Sequence, residues 1–187
     1  MKATTLTLVI SLFALAFSVK LVADENNAPI HEIITAGWLE EILLQPWNIK
    51  LRAKLDTGAK TSSLHAVDIE RFDRDGTHWV KFRTIASSNK NELMPMEAPL
   101  VRDVKIKDHK RKSSTRPVVE MTFCLADQIY TSEFSLVDRS KFNYPVLLGR
   151  LMLQQGIIVD PALTFTFRSN KKMCEKLINT DKEQLLE

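Results

Sequence analysis

Short, alternating apolar segments separated by turn residues recur along most of this sequence. Alternation with a period of two is typical of strands, because successive side chains of a strand point to opposite faces of a sheet. The segments are residues 33–44, 49–55, 64–69, 79–82, 100–106, 116–125, 130–137, 156–159 and 163–167. Many short strands with turns at such spacing predict an all-β sandwich or barrel.

Two turn signals lie in the N-terminal half of this pattern. Gln45-Pro46-Trp47-Asn48 separates the first two predicted strands, which are therefore expected to form a hairpin, and Asp73-Arg74-Asp75-Gly76 is the second signal. Helical patterning is confined to residues 151–155 and to the charged tail after Ser169, and no internal repeat is visible. A chain of 187 residues, 44% of them apolar, is long enough for one domain with one hydrophobic core.

The predicted hairpin places one carboxylate at the end of its second strand, in the sequence Asp56-Thr57-Gly58-Ala59. Aspartic-protease chemistry needs two carboxylates that share a proton, one ionised to activate water and one protonated to hydrogen-bond the scissile carbonyl. The Thr57 hydroxyl can brace such a loop, and Gly58 lets the backbone turn where a Cβ would collide. The alternative is an ordinary turn, since Asp and Gly are both common turn residues.

A second motif, Val146-Leu147-Leu148-Gly149-Arg150, strengthens the catalytic interpretation. Apolar residues followed by Gly and Arg, at the start of a short apolar helix, resemble the downstream half of the retropepsin pattern. The longer run Ala53-Lys54-Leu55-Asp56-Thr57-Gly58-Ala59-Lys60-Thr61-Ser62-Ser63-Leu64-His65-Ala66 resembles the signature of a small bacterial branch of the retropepsin-like aspartic proteases, often labelled ATP-dependent zinc proteases. The resemblance extends over about residues 37–167.

The resemblance implies a retropepsin-like acid-protease barrel, with one short helix after the Leu-Leu-Gly-Arg motif, and endopeptidase activity on peptide or protein substrates. The catalytic residue that it implies is Asp56. The supporting residues are Thr57, Gly58, Ala59, Gly149 and Arg150. Because Asp-Thr-Gly occurs once in the chain, a complete carboxylate pair requires a second copy of the protein. We therefore expect a two-fold homodimer with one Asp56 from each chain beside the axis.

Two features differ from the better-known retroviral pattern. The position after Asp-Thr-Gly-Ala, commonly an Asp that pairs with the Arg of the downstream motif, is Lys60 here. Arg150 is therefore expected to pair with another carboxylate, such as Asp138 or Asp160. A glycine-rich flap is also missing, since no Gly lies between the predicted strands at residues 79–82 and 116–125. The candidate mobile loops are residues 87–99 and 107–114.

The zinc and ATP parts of that label find no support in the residues. A zinc protease is expected to show His-Glu-x-x-His or another cluster of ligands, whereas His31, His65, His78 and His109 are scattered. An ATP site is expected to show a glycine-rich phosphate loop, and the five glycines do not form one. We therefore predict no cofactor and no metal ligands. His65, alone in a strand-like segment, is interpreted as a hydrogen-bonded structural residue.

The N-terminal residues have the layout of a secretory signal peptide. Lys2 precedes an apolar stretch at residues 6–17, and a small-x-small exit follows at Ala16-Phe17-Ser18. The predicted parts are a signal peptide at 1–18 (cleavage as late as 23), a linker at 19–32, a retropepsin-like domain at 33–168 and a charged tail at 169–187. The mature protein would be exported to the bacterial periplasm without an integral membrane segment. An uncleaved anchor is the alternative.

Export would place Cys124 and Cys174 in an oxidising compartment, where a disulfide can tie the tail to the barrel. Cys124 lies in a predicted strand, so the alternative is a small, buried, unbonded side chain. The tail itself is open to two interpretations, a cover for an edge strand or a disordered segment. The sequence does not decide between them.

Three functional classes follow from these features. The first is an exported, homodimeric aspartic endopeptidase of the retropepsin type. The second is a non-catalytic binding module of the cell envelope that keeps the barrel but has lost the flap and the dimer. The third, ranked last, is an anion-binding protein that uses the basic stretch at residues 105–112. That stretch has no aromatic residues to stack on bases, and the net charge is only +3, so no nucleic-acid partner is predicted.

Overall fold

The computed structural model describes residues 32–86, 92–107 and 113–184, so the predicted leader and nearly all of the predicted linker lie outside the described residues. The strands are β1 (Ile34–Leu44), β2 (Ile49–Asp56), β3 (Ser62–His65), β4 (Val67–Arg74), β5 (Thr77–Ile85), β6 (Leu93–Lys107), β7 (Ser113–Leu125), β8 (Gln128–Val137), β9 (Val146–Gly149) and β10 (Ile157–Thr164). The helices are α1 (Arg150–Leu153) and α2 (Lys171–Gln184).

Six of the strands close into a barrel. The sheet order is β10-β1-β2-β9-β3-β8-β7-β6-β5-β4, and a further pairing between β1 and β7 completes the ring. Strand β10 extends the sheet beside β1, while β6, β5 and β4 extend it beyond β7. The predicted all-β barrel, with a short helix directly after the Leu-Leu-Gly-Arg motif, is confirmed.

The alternation of strand β2 determines which way the candidate site faces. Leu51, Ala53 and Leu55 are buried in the barrel core. Because successive side chains of a strand point to opposite faces, the residues between them point away from the core. Asp56 therefore lies on the outward face of β2, together with Arg52 and Lys54.

Both predicted turns are present. The Gln45 to Asn48 turn joins β1 to β2, and the antiparallel register runs from Leu39 paired with Lys54 to Leu44 paired with Ile49. The second turn is shorter than predicted, because Asp73 and Arg74 belong to β4. Its two central residues, Asp75 and Gly76, both have positive φ angles, 50° and 75°. This geometry is typical of a two-residue hairpin, in which Asp-Gly is a favoured pair.

Two divisions between strands differ from the prediction. Residues 64–69 are not one strand, since β3 pairs with β8 and β9 of the barrel whereas β4 pairs with β5 outside it. The chain leaves the barrel between them, at Ala66. Conversely, the separate strands predicted at residues 156–159 and 163–167 are replaced by one strand, β10, which runs parallel to β1 and ends at Thr164, before residues 165–167. Pro161 lies within β10, and an edge strand tolerates a proline because the missing N–H can face away from the ladder.

The described parts of the two predicted mobile loops are mostly strand. Within residues 87–99, the segment from Leu93 to Pro99 belongs to β6 and pairs with β5. Its alternating Met96 and Ala98 are buried against the core, which explains why it is ordered despite containing two prolines. Residues 107–114 likewise contribute the ends of β6 and β7. Residues 87–91 and 108–112 lie outside the described residues.

A disulfide joins Cys124 of β7 to Cys174 of α2. Both cysteines are buried, in a small apolar cluster with Leu43 that is separate from the main core. The Gln45 side-chain amide also donates a hydrogen bond to the Cys174 Sγ atom at 3.2 Å. Of the two alternatives for the cysteines, the structure therefore has the disulfide and not an unbonded Cys124. The first part of the charged tail is a helix that is docked on the barrel.

A buried carboxylate fixes the segment that leads to this helix. Glu40 of β1 is fully buried, and its Oε1 atom accepts hydrogen bonds from the backbone N–H groups of Gly37, at 2.8 Å, and Thr166, at 2.9 Å. Its Oε2 atom accepts a third from Phe167 at 3.2 Å. Because a buried charge needs such partners, Glu40 holds the chain after β10 against β1.

Candidate functional site

The two sequence motifs meet at the ends of neighbouring strands. Strands β2 and β9 run parallel, and the last pair of their register is Asp56 with Gly149. Parallel strands end on the same side of a sheet, so the loop after Asp56 and the helix after Gly149 leave the barrel together. The structure thus brings together all six predicted site residues, Asp56, Thr57, Gly58, Ala59, Gly149 and Arg150.

Asp56 is the central side chain of this site. Its Oδ1 atom accepts a hydrogen bond from the Gly58 amide at 3.0 Å, and its backbone oxygen accepts one from the Ala59 amide at 3.2 Å. Its Oδ2 atom accepts a hydrogen bond from the Lys54 ammonium, also at 3.0 Å. The carboxylate is one-quarter exposed, with a side-chain accessibility of 24%. Asp56 is therefore positioned by its own loop and still reachable from solvent.

These contacts favour the ionised form of Asp56. The Lys54 hydrogen bond is the largest influence and holds the pKa of the Asp56 carboxyl below its usual value. Partial burial opposes this shift, because it disfavours a charged group, whereas the Gly58 amide adds to it. A single chain therefore presents Asp56 as a carboxylate, the form that accepts a proton from water.

Replacing Lys54 with Met removes the ammonium but keeps most of the side-chain volume. Since the Lys54 hydrogen bond is the main cause of the lowered pKa, we expect the pKa of Asp56 to rise, so that protonation occurs at higher pH than in the wild type. Titration of the Asp56 carboxyl carbon by NMR measures the change. The control is Lys50→Met, because Lys50 lies on the same strand and pairs with Glu41 instead. An unchanged Asp56 pKa in Lys54→Met would contradict this account.

Gly149 is required by the close approach of the two motifs. A Cβ added there would lie 2.6 Å from both the carbonyl carbon and the carbonyl oxygen of Thr61, well inside van der Waals contact. The Gly149 amide donates a hydrogen bond to the Ser62 hydroxyl oxygen at 3.1 Å. The glycine therefore lets β9 pack against the chain that follows the Asp56 loop.

Arg150 braces the Asp56 loop through backbone oxygens. Its Nη1 atom donates hydrogen bonds to the carbonyl oxygens of Thr57 and Gly58, each at 2.9 Å. Its backbone amide donates a third to the Ala59 oxygen at 2.9 Å. The start of helix α1 is thus tied to three successive residues of the loop.

The predicted pairing of Arg150 with Asp138 or Asp160 is wrong. Each of these carboxylates instead accepts a hydrogen bond from a backbone amide two residues later in its own turn, at 2.8 Å. With Lys60 in place of an acidic residue, the loop offers carbonyl oxygens rather than a carboxylate, and the guanidinium binds those. Thr57 is exposed, and its contribution to this contact is its carbonyl oxygen.

Several residues at the site were not singled out by the sequence. Lys54, Ser62 and Ser63 belong to the long signature around Asp56. Their closeness to Asp56 in the sequence could therefore have indicated that they belong to the site. Arg139 lies in the β8–β9 connection and carries no comparable signal, since a single Arg in a polar loop is common. Its backbone amide donates a hydrogen bond to the His65 Nδ1 atom at 2.9 Å, which places the buried His65 imidazole in a structural contact.

Within residues 32–86, 92–107 and 113–184, no three His, Cys, Asp or Glu side chains are grouped so that they could hold a metal ion. No helix in the same ranges has the length and apolar character needed to cross a bilayer.

Comparison with known proteins identifies the family. A model described as "RimB-like: Retropepsin-like aspartic endopeptidase RimB" matches residues 35–170. The chain is also 34% identical over 114 residues to a "Probable alpha-L-glutamate ligase" of Desulfotalea psychrophila, a match that covers 60% of this chain and 25% of that protein. A protein of the same name from Shewanella pealeana is 33% identical over 116 residues, which is 62% of this chain and 25% of that protein. The chain spans about a quarter of the length of the curated relatives it matches.

One similar crystal structure is that of Lpg0085, a protein of unknown function from Legionella pneumophila. It is 38% identical, with a TM-score of 0.62, and the match covers 71% of this chain and 96% of that one. The family model spans both the Asp56 loop and the Gly149-Arg150 motif. The chain therefore belongs to the RimB-like family of retropepsin-like aspartic endopeptidases.

Proposed function

We propose that this protein is an aspartic endopeptidase that hydrolyses peptide bonds as a homodimer, with a water molecule activated between the Asp56 carboxyl groups of two chains. The observation that carries this proposal is the placement of Asp56. Its carboxylate stands at the end of β2 beside Gly149, and Arg150 and the Gly58 amide brace its loop. This is a rigid, solvent-accessible position for an acid–base group, in a family of endopeptidases.

The homodimer follows from the number of carboxylates that the reaction needs. One chain contributes one Asp-Thr-Gly, and the groups that hold the Asp56 side chain, Lys54 and the Gly58 amide, supply no second acid. In a symmetric pair, two close carboxylates cannot both ionise easily, so one keeps a proton. The ionised Asp56 would take a proton from water, and the protonated one would hydrogen-bond the peptide carbonyl. Lys54 would stabilise the ionised partner.

We further propose that the substrate is a peptide rich in glutamate. Two observations support this. The relatives from Desulfotalea psychrophila and Shewanella pealeana, which contain a segment similar to this chain, are named as ligases of α-L-glutamate. In addition, the outward face of β2 that bears Asp56 also bears Arg52 and Lys54, and Arg150 lies at its end. Positive charge on this face would attract acidic side chains.

The direct test is digestion of peptide libraries that differ in glutamate content, across pH, with and without a chelator. We expect cleavage of glutamate-rich peptides over an acid-side pH window, bounded by the two macroscopic pKa values of the carboxylate pair. The chelator is expected to have no effect. Analytical ultracentrifugation under the same conditions should show a dimer. Cleavage that disappears only with chelator would refute the aspartic mechanism, and a strictly monomeric active protein would refute the shared site.

A non-catalytic binding module is the second candidate. The observation that favours it is the ion pair of Asp56 with Lys54 within one chain, since a carboxylate with a fixed partner can serve structure alone. A protein that stays monomeric at high concentration and cleaves no peptide in the same assay would support this candidate.

We also propose that the protein is exported after removal of the leader. The Cys124–Cys174 disulfide supports export, because disulfides persist mainly in oxidising compartments. Mass spectrometry of the protein purified from its native cell envelope is expected to give a chain that begins near Val19 or Asp24. Recovery of the intact N-terminus in the membrane fraction would indicate an anchored protein instead.

A further inference from the structure

Arg139, in the connection between β8 and β9, has a guanidinium group in an unusual environment. The residue is 7% exposed. Its Nη1 atom donates a hydrogen bond to the Ser63 hydroxyl at 2.8 Å, and its Nε atom donates one to the Tyr144 carbonyl oxygen at 3.1 Å. The guanidinium also lies over the ring of Phe142, 4.7 Å from its centroid. All three partners are uncharged.

A buried guanidinium normally has a carboxylate partner, because removing a charge from water is costly unless an opposite charge compensates. Among the described ion pairs, none includes Arg139, and the neighbouring carboxylate of Asp138 is held by the Ser140 amide. Burial lowers the pKa of Arg139, the nearby charge of Arg116 lowers it further, and only the charge of Asp56 acts in the opposite direction. The buried guanidinium therefore has no carboxylate partner among the described ion pairs, and Arg116 adds a second positive charge nearby.

The strand register places this charge on the same face as Asp56. Lys54 of β2 is paired with Leu147, and Leu147 with Ser63 of β3. Paired residues point to the same side of a sheet, as do alternate residues of one strand. Lys54, Asp56 and Ser63 therefore share the face that is turned away from the barrel core, which we call the Asp56 face. The Arg139 guanidinium lies on this face, because it binds the Ser63 hydroxyl.

Arg116 lies on the Asp56 face as well. Ser63 is paired with Ser135 of β8, and Ser135 with Val118 of β7. Arg116 is two residues before Val118, so its side chain points to the same side, and it is half-buried. Arg139 and Arg116 thus form a pair of guanidinium groups on the surface that carries the proposed catalytic carboxylate.

We propose that Arg139, assisted by Arg116, binds a carboxylate of the substrate and is a specificity-determining residue of the Asp56 site. This inference rests on the proposed endopeptidase function and assigns its preference for acidic peptides to particular side chains. The bound carboxylate would supply the negative charge that the described partners of Arg139 lack. A guanidinium already held by two hydrogen bonds and an aromatic ring would lose little conformational entropy on binding it.

The separation of the groups suits an extended peptide. Strand β9 lies between β2 and β3, so two strand spacings, roughly 10 Å, separate the positions of Lys54 and Ser63. An extended peptide advances about 3.3 Å per residue. A glutamate two or three residues from the bond beside Asp56 would therefore reach Arg139.

Binding measurements on an inactive protein test this proposal apart from catalysis. In the Asp56→Asn background, calorimetry would compare tetra-L-glutamate with tetra-L-glutamine, which differ in charge but hardly in shape. We expect tighter binding of tetraglutamate, and an added Arg139→Gln should weaken it at least about 30-fold while changing tetraglutamine binding by less than about 2-fold. Arg116→Gln should reduce tetraglutamate binding in the same direction. Arg71→Gln is the matched control, since Arg71 is exposed on β4, outside the barrel, and pairs with Asp103, and should change neither affinity.

The outcomes are separable. Equal losses for both peptides, with a lower melting temperature, would show that Arg139 only supports the fold and would overturn the proposal. Equal affinity of the two peptides for the parent protein would also overturn it. If Arg139→Gln does not fold, Arg116→Gln decides, because unchanged discrimination in that variant would refute the guanidinium pair. Failure of the wild type to cleave any peptide would refute the proposed function but would leave this binding result standing.

Discussion

Asp56→Asn is expected to lower kcat/KM for peptide cleavage at least about 10³-fold, because it removes the ionisable group while keeping the shape of the side chain. The Asn oxygen can still accept the Gly58 amide hydrogen bond that Asp56 accepts at 3.0 Å. The fold and the dimer should therefore survive. The measurement is steady-state cleavage of a glutamate-rich peptide, with circular dichroism and ultracentrifugation on the same samples. Asp103→Asn is the control, since Asp103 is an exposed partner of Arg71.

Mixing the wild-type protein with the Asp56→Asn variant tests whether the two chains share one active site. A dimer with one wild-type chain and one Asp56→Asn chain has a single carboxyl group at the shared site and should be inactive. After exchange of equal amounts of the two chains, only about a quarter of the dimers keep both carboxyl groups, so activity should fall to about a quarter of that of the unmixed wild type at the same total concentration. Retention of half of the activity would mean that each chain works alone. Cleavage by pure Asp56→Asn at the wild-type rate would refute the aspartic mechanism.

Loss of the disulfide is expected to produce the largest change in stability. The Cys124–Cys174 bond closes a loop with a sequence separation of 50 residues. Its removal should lower the free energy of unfolding by about 4 kcal/mol, because the unfolded chain regains the entropy of that loop. For a domain of this size, such a loss corresponds to a decrease in melting temperature of roughly 10 °C. The measurement is thermal unfolding of the Cys124→Ala, Cys174→Ala double variant by circular dichroism or calorimetry.

A reductant supplies the control for this second prediction. Reduced wild type should melt close to the double variant, whereas the double variant itself should not respond to reductant. Equal melting temperatures for oxidised wild type and double variant would mean that the disulfide contributes nothing to the stability of the folded chain. Since Leu43 and Ile178 pack with the two cysteines, some contact is expected to remain after the bond is lost.

Local patterns in the sequence predicted the barrel and the neighbourhood of Asp56. Alternation in residues 49–55 predicted a strand with one buried face, and the structure has that face in the core. Each of the two motifs lies at the end of a strand, and this position could be predicted from the residues around the motif itself. Their assignment to catalysis, by contrast, stays a prediction that the peptide experiments decide.

The errors concern pairings between distant parts of the chain. Whether residues 93–99 form a loop or a strand depends on β5, with which they pair, whereas the loop was predicted from the missing glycine-rich flap. The partners of Arg150 are carbonyl oxygens of the Asp56 loop. Their direction depends on the backbone conformation of the loop, which the residue types do not reveal. Arg139 could not be identified for a similar reason. Its partners come from its own connection and from β3, and the two meet only in the folded barrel.

The contact between Arg150 and Thr57 spans 93 residues of sequence, and this separation has a consequence for the newly made chain. Synthesis proceeds from the N-terminus at about 5–20 residues per second, so roughly 5–20 s pass between the emergence of the Asp56 loop and that of the arginine that braces it. Strand β9, which supplies the register partner of Asp56, emerges equally late. A ribosome-bound chain therefore exposes Asp56 long before its loop can adopt the final geometry. If the protein is a peptidase, its active site therefore cannot be complete while residues 57–150 are still being synthesised.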